Sequence, residues 1–302
     1  MRLVVVFAFA LGCSSNPADP SDASSPPDAS SADAVDAPTE AAPEIDAGCG
    51  AHAKPLSFTP WILLDADNGK SWSDADGKAT VDDTFVFEGN HAFKMHADKG
   101  TPNNGGLYGS WGAIESIAPA LHKGDTIHAQ IALYLPTTFD WSADPWLKFL
   151  RVHTMASDGT TNHGYDDIYI YNEKLNNIYE GQQTWKSSSA VLVKGCWQVV
   201  EYELVLDDVA IDQGGTGRVR IWISEPGGMR LALERTDTKT LGAASDLVDG
   251  FYVFTYWNSG QEDGMYPTQA QDAWVDRVVI EKDMSKLTEK DSAGNAIIAG
   301  VE

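Results

Sequence analysis

Positive charge is scarce in this chain of 302 residues. It has 21 lysines and arginines against 44 aspartates and glutamates, which gives a formal net charge of -23. A protein that binds the phosphates of a nucleic acid needs a basic surface. The acid excess therefore argues against nucleic acid as a partner.

Long segments with the 3.6-residue periodicity of helices are also absent. Short alternating runs are separated instead by turns rich in glycine, asparagine and aspartate, at 84–97, 124–136, 196–206, 217–224 and 273–281. Many short strands of this kind predict an all-β sandwich or barrel. Roughly 250 residues remain beyond the N-terminal segments, which fits one large all-β domain.

The apolar run at the N-terminus is short. Residues 3–10 are apolar, Arg2 precedes them, and Leu-Gly-Cys13 follows. Such a run is too short to span a bilayer as a helix, so it predicts an export signal. A cysteine at its end resembles the lipobox of bacterial lipoproteins. That resemblance implies a lipoprotein signal peptide at 1–13, lipid on Cys13 as the sole membrane contact, and a place at the outer membrane or cell surface; an ordinary signal peptide is the alternative.

Residues 14–47 consist mostly of Ser, Pro, Ala and Asp, with no basic residue. Such a segment cannot bury enough apolar surface to offset its ordering entropy, so we predict a disordered linker. We expect the globular domain at 48–283 and a weakly structured tail at 284–302.

Cysteine is rare as well, with three in the chain. With Cys13 assigned to lipid, Cys49 and Cys196 remain. An even pair in an exported protein is more often a disulfide than two free thiols. We therefore predict a Cys49–Cys196 disulfide.

Two strands between 147 and 171 each show an aliphatic face and a polar-aromatic face. Because strand side chains alternate, Leu150 and Val152 are predicted to lie opposite Phe149, Arg151 and His153. In the second strand, the residues opposite the isoleucines are Asp167, Tyr169 and Tyr171. The pattern predicts either a solvated sheet exterior or the floor of a groove.

The same pattern returns in later strands, which favours a groove. We predict that ten polar or aromatic side chains converge on one concave face. They are Phe149, Arg151, His153, Tyr169, Tyr171, Glu201, Arg220, Trp222, Tyr256 and Asn258.

Several motifs run in a recognisable order over 61–281. They are FEGNHAFKM, LYLPTTFDW followed by WLKFLR, CWQVVEYELVL followed by GRVRIWI, and YWNSG followed by WVDRVVI. Together they resemble the concanavalin A-like jelly-roll polysaccharide lyases, including glucuronan and alginate lyase-type domains, and their lectin-like relatives. The resemblance implies a jelly-roll β-sandwich of two antiparallel sheets with a glycan groove.

The resemblance also implies a structural Ca²⁺ between the first and last strands. In this sequence it would fall near Asp65, Asp67 and Asp276. Oxygen ligands of this kind suit a hard cation.

Cleavage of a uronic-acid glycan by a lyase removes the proton alpha to the carboxylate. Arg151 is our candidate to clamp that carboxylate. His153 or Tyr169 is the candidate base, and Tyr169 or Tyr171 the candidate acid. The further candidates for binding a polysaccharide or oligosaccharide are Lys148, Phe149, Glu201, Arg220, Trp222, Tyr256 and Asn258.

Two other functions stay open for what we expect to be a monomer. Glycoside hydrolysis needs two carboxylates across a cleft, and Glu201 and Glu203 share one strand face. Binding without chemistry would use aromatic rings that stack on sugars. Clustered cations would indicate a lyase, and an aromatic track with few cations would indicate a binder of neutral glycan.

Overall fold

A computed structural model describes residues 50–68, 79–99, 113–140, 147–171, 173–182, 184–254, 269–298 and 301. Over these ranges the chain forms strands and three short 3-10 helices, with no α-helix. The strands are β1 (Ile62–Leu64), β2 (Ala79–Asp82), β3 (Ala92–Ala97), β4 (Ala113–His122), β5 (Thr126–Tyr134), β6 (Leu147–Met155), β7 (Asn162–Tyr171), β8 (Lys174–Tyr179), β9 (Thr184–Val191), β10 (Trp197–Val205), β11 (Arg218–Glu225), β12 (Gly228–Arg235), β13 (Leu247–Val253), β14 (Gln271–Glu281), β15 (Glu289–Lys290) and β16 (Ala296–Ile297).

Two large antiparallel sheets make up the fold. Sheet I has the strand order β12-β11-β10-β5-β14-β3-β2, and β1 pairs with β14. Sheet II has the order β4-β13-β6-β7-β8-β9. The prediction of an all-β sandwich of two antiparallel sheets is confirmed.

The main core packs between the two sheets. Ile131 and Leu204 of sheet I belong to the same buried cluster as Val152 and Ile168 of sheet II. Burying one such side chain contributes roughly 1.5–3 kcal/mol, which favours alternation in the strands that cover this core. The predicted inward direction of Leu150 and Val152 agrees with this arrangement.

A β-bulge in β6 changes which side chains leave the core. The pairing of β6 with β7 shifts just after Lys148, which lies opposite Tyr169. Phe149 is the extra residue; its side chain is buried in the core with its ring centre 5.0 Å from that of Phe254. Strict alternation predicted Phe149 on the polar face. That prediction is wrong because the bulge places Lys148 there beside Arg151.

The C-terminal segment covers the outer face of sheet I. Residues 284–298 contain a 3-10 helix and the β15–β16 pair, although we expected weak structure for this tail. Ile297 packs in a buried cluster with Trp222, and the Ile298 amide donates to Glu201 at 2.6 Å. Its few apolar residues therefore suffice to hold the segment against the sheet.

One carboxylate of β7 lies on the core side of sheet II. Asp166 is fully buried and accepts hydrogen bonds from the Tyr202 hydroxyl and from the Asn177 amide, the latter at 2.7 Å. Burial raises the pKa of Asp166 to about 7, although both hydrogen bonds and the charge of Arg235 oppose the rise. The folded protein therefore binds this proton more tightly than the unfolded chain does.

A group with a raised pKa in the folded state adds stability that is complete at low pH and is lost as pH rises. For Asp166 that window runs from about 3.8 to about 7. Over this window we expect Asp166→Asn to gain stability relative to wild type by up to ~4 kcal/mol. Urea denaturation of both proteins at several pH values measures the difference.

The exposed Asp158 provides the control, because its hydrogen bonds to Thr160 and Thr161 lower its pKa to about 2. Asp158→Asn should therefore change the pH profile in the opposite sense. Parallel profiles for wild type and Asp166→Asn would show that the buried carboxyl does not titrate as inferred.

Candidate functional site

The face of sheet II that points away from the core carries a cluster of ionisable and aromatic side chains. We call it the polar face of sheet II. Across the strands, Tyr252 of β13 pairs with Arg151 of β6, and Arg151 pairs with Asp167 of β7. In the next row His153 pairs with Tyr165. Directly paired residues of antiparallel strands share a face, so these five side chains lie together.

Arg151 is held inside this cluster by two carboxylates. Its Nε donates to Asp167 Oδ1 at 2.8 Å, and its Nη2 donates to Glu180 Oε1 at 3.0 Å. Lys148 Nζ donates to the same Glu180 oxygen at 3.1 Å. The guanidinium carbon lies 3.6 Å from the centre of the Tyr165 ring, and only 1% of Arg151 is exposed. Its contacts are therefore with the protein, whereas the sequence predicted a contact with a substrate carboxylate.

The two carboxylates respond differently to these cations. Burial raises the pKa of Asp167 to about 6, because Arg151 lowers it less than burial raises it and Glu180 raises it further. Burial also raises the pKa of Glu180, but Lys148 and Arg151 outweigh that effect, so its pKa is lowered. Glu180 is thus the ionised partner that links the two cations.

His153 is held by a carboxylate in a different way. Its Nδ1 lies 2.7 Å from Asp249 Oδ1, on the strand next to β6. An N–H donated from Nδ1 to a carboxylate leaves the Nε2 lone pair free to take a proton. The structure shows no hydrogen bond from any described residue to Nε2. The imidazole centre is 4.8 Å from the ring centre of Tyr165 and 6.2 Å from that of Tyr252.

The sequence analysis did not name two of these neighbours, Tyr165 and Asp249, as catalytic candidates. Tyr165 extends the alternation of Asp167 and Tyr169 by one more step, which was the available signal. Asp249 lies at a register shift in β13, for which the sequence shows no sign.

The structure does not bring the predicted tyrosines to His153. Tyr169 pairs with Lys148 of β6. Along β7, Tyr169 is four residues from Tyr165, so the two tyrosines are roughly 13 Å apart. Its ring packs against Trp185, and Tyr171 lies at the end of the strand beyond it. The tyrosine of β7 that lies beside His153 is Tyr165. The catalytic roles of Tyr169 and Tyr171 stay predictions.

Three predicted groove residues lie on the other sheet. Glu201 of β10, and Arg220 and Trp222 of β11, are on the outer face of sheet I. Trp222 is fully buried there, and its indole nitrogen donates to Asp291 at 2.8 Å. The predicted convergence on one face is therefore wrong. Alternation determines the side of a strand on which a residue lies, but not the sheet to which the strand belongs.

The carboxylate pair considered for glycoside hydrolysis lies on this outer face as well. Glu201 is buried and accepts from Gln130 at 3.1 Å and from the Ile298 amide. Glu203 accepts from Arg218 at 2.9 Å. A cleft needs two accessible carboxylates, so this pair does not support hydrolysis.

The carboxylates assigned to calcium are bonded to N–H donors. Asp276 accepts from the amides of Phe87 and Glu88, both at 3.0 Å, and Asp67 lies 2.7 Å from His91 Nδ1. No three His, Cys, Asp or Glu side chains within the described ranges are grouped to hold a metal ion. Asp65 and Asp276 line one cavity, and calcium binding by the three aspartates stays a prediction.

Other predicted residues lie outside the described part of the chain. They are Cys13, Cys49, Tyr256 and Asn258. Cys196 is buried and disulfide-bonded, but with Cys49 outside that part the pairing of the two stays a prediction. No helix in the described ranges is long and apolar enough to cross a membrane.

The arrangement of the sheets has counterparts among solved structures. An endo-β-1,4-glucuronan lyase from Trichoderma reesei is similar, with a TM-score of 0.58, 18% identity, and coverage of 76% of this chain and 98% of that one. The likeness is to the fold, a β-sandwich of two large antiparallel sheets. An alginate lyase from Aplysia kurodai matches with a TM-score of 0.51, 11% identity, and coverage of 68% of this chain and 87% of that one. One from a Chlorella virus matches with a TM-score of 0.50, 16% identity, and coverage of 74% of this chain and all of that one.

No protein-family model and no curated protein sequence matches the chain. At identities this low the structural likeness establishes the fold alone.

The buried position of Arg151 gives a stability prediction. Arg151→Ala leaves Asp167 buried without its closest cation, so we expect a loss of ~3–5 kcal/mol in the free energy of unfolding. Chemical denaturation measures the loss. The matched control is Arg230→Ala, which removes an exposed pair with Glu225 of 2.7 Å and should cost at most about 1 kcal/mol. Equal losses in the two variants would contradict the inferred role of Arg151.

Proposed function

We propose that the protein is a polysaccharide lyase that cleaves uronic-acid glycans by β-elimination. The observation that carries this proposal is the His153–Asp249 pair beside Tyr165 and Tyr252. The pair lies on the polar face of a sandwich with the fold of glucuronan and alginate lyases. The fold raises the prior for this chemistry, and the pair supplies a base where the chemistry needs one.

The elimination can be followed atom by atom. His153 Nε2 takes the proton alpha to the uronate carboxylate, and the Asp249 carboxylate stabilises the imidazolium that forms. The electron pair of the broken C–H bond forms a carbon–carbon double bond, and the bond to the leaving glycosidic oxygen breaks. That oxygen takes a proton from a tyrosine hydroxyl, for which Tyr252 is the more exposed candidate and Tyr165 the buried one.

A second candidate function is binding of a neutral glycan without cleavage. Lys148 and Arg151 are both almost fully buried. Both pair with the carboxylates of Asp167 and Glu180. A uronate substrate gains little from cations that the protein itself has neutralised. This charge balance favours an uncharged ligand, whereas the His153–Asp249 pair favours chemistry.

Turnover distinguishes the two functions. We expect the protein to produce the ultraviolet absorbance of unsaturated uronates on at least one glycan from a panel of uronans. His153→Ala should lower the rate by about 10²–10⁴-fold with glycan binding retained, because only the proton transfer is lost. Asp249→Asn should also slow turnover, since it weakens the orientation of the imidazole.

The matched control is His96→Ala. His96 is also bonded to an aspartate through Nδ1, at 2.6 Å, but it lies on β3 of sheet I. Full activity in His153→Ala would place the base elsewhere. Glycan binding by wild type without any absorbance change on the whole panel would favour the non-catalytic function.

Lipid attachment at Cys13 is part of the proposal. It is supported by the short apolar run that ends in Leu-Gly-Cys, and it would hold the domain at a membrane surface through the linker of residues 14–47. The full-length protein should partition with membranes, and Cys13→Ser should become soluble. Continued partition of Cys13→Ser would contradict the anchor.

A further inference from the structure

A large aromatic side chain lies open at the edge of sheet II. Trp185 is on β9, the last strand of the sheet, and its side chain is 42% exposed. Tryptophan is usually well buried, so an exposed ring on the same sheet as a candidate active site needs an explanation. Neither the position of Trp185 in the fold nor the proposed elimination step requires an exposed ring.

The register of the strands places Trp185 on the polar face of sheet II. Trp185 pairs with Ile178, Ile178 pairs with Asp167, and Asp167 pairs with Arg151. Partners in each pair share a face, so the row runs from β6 to the sheet edge on one side of the sheet. The Tyr169 ring confirms this side, because its centre lies 5.0 Å from the Trp185 ring at 74°.

The contact with Tyr169 also supports the indole from one side. Tyr169 is buried, and an edge-to-face contact adds stability beyond the area that it covers. Two residues along β9, Ser187 lies on the same face as Trp185, and its hydroxyl donates to Asn176 Oδ1. An aromatic ring next to a hydroxyl oxygen that can accept a hydrogen bond matches the two sides of a sugar, which has a C–H face and a rim of hydroxyls.

The distance from Trp185 to the base is set by the strands between them. His153 is on β6 and Trp185 on β9, which is about 14 Å across the strands, and the row of Trp185 meets β6 at Arg151, two residues from His153. A disaccharide positioned at His153 does not reach that far. A chain of several sugars that crosses the strands does.

We propose that Trp185 is a stacking platform for a sugar ring several units away from the glycosidic bond at His153. The polar face of sheet II then takes an extended glycan that runs across β6, β7, β8 and β9, and the natural substrate is an internal stretch of a polymer. This inference rests on the proposed glycan-active function of the polar face. It adds the direction of the bound chain and a binding residue at the edge of the sheet.

The experiment compares long and short ligands of the same glycan. Trp185→Ala should weaken binding of a hexasaccharide roughly three- to tenfold, the loss of one aromatic contact, with binding of a disaccharide unchanged. Trp185→Phe keeps a ring and should retain part of the affinity. The control is Val81→Ala, which removes another exposed apolar side chain, on β2 of sheet I.

Binding is measured by retardation in gels that contain the polymer and by calorimetry with the oligosaccharides, in the His153→Ala background so that no ligand is cleaved. Equal affinity of Trp185→Ala and its parent for every ligand length overturns the platform, whether or not the wild type is a lyase. Retardation that depends on Trp185, without turnover by wild type, overturns the lyase proposal and leaves the platform. A wild type that neither binds nor cleaves any glycan overturns both.

Discussion

The structure depends on one constraint, which is that every long strand must cover the space between two sheets with its aliphatic side chains. Val152 and Ile168 meet this constraint from sheet II, and Ile131 and Leu204 meet it from sheet I. The side chains at the alternate positions of each strand then point away from the core. The polar face of sheet II is therefore a consequence of how the core is filled, because it consists of the side chains that the core excludes.

The buried charges of that face set a second condition. Burying Arg151 costs desolvation free energy, and the bonds to Asp167 and Glu180 offset it only when all three groups are present. The contact of its guanidinium with the Tyr165 ring then fixes the position of that ring beside His153. An arginine that resembles a substrate clamp in the sequence is, in the folded protein, a group that orders the site.

The fold could be predicted from the sequence to a greater extent than the site. Alternation identified the inward residues of β6, such as Leu150, because hydrophobic burial acts on every strand alike. It misplaced Phe149, because a bulge inserts one residue without a signature in composition. It also grouped Trp222 with the groove, because pairing between distant strands, not periodicity, decides which sheet a strand joins. Asp166 lies in the core because Tyr202, on a distant strand, provides a partner.

A histidine bonded to an aspartate does not by itself indicate catalysis in this protein. Within the described residues, His91, His96 and His163 each have Nδ1 within 2.7 Å of an aspartate oxygen, with side chains 46%, 38% and 32% exposed. His153 differs because its side chain is 10% exposed and two tyrosine rings lie beside it. A fixed tautomer in a site largely shielded from water serves proton transfer, whereas a histidine that only hydrogen-bonds a sugar can do so in either tautomer. The shielded pair is thus better suited to elimination than to binding alone, even though the neighbouring cations are already neutralised.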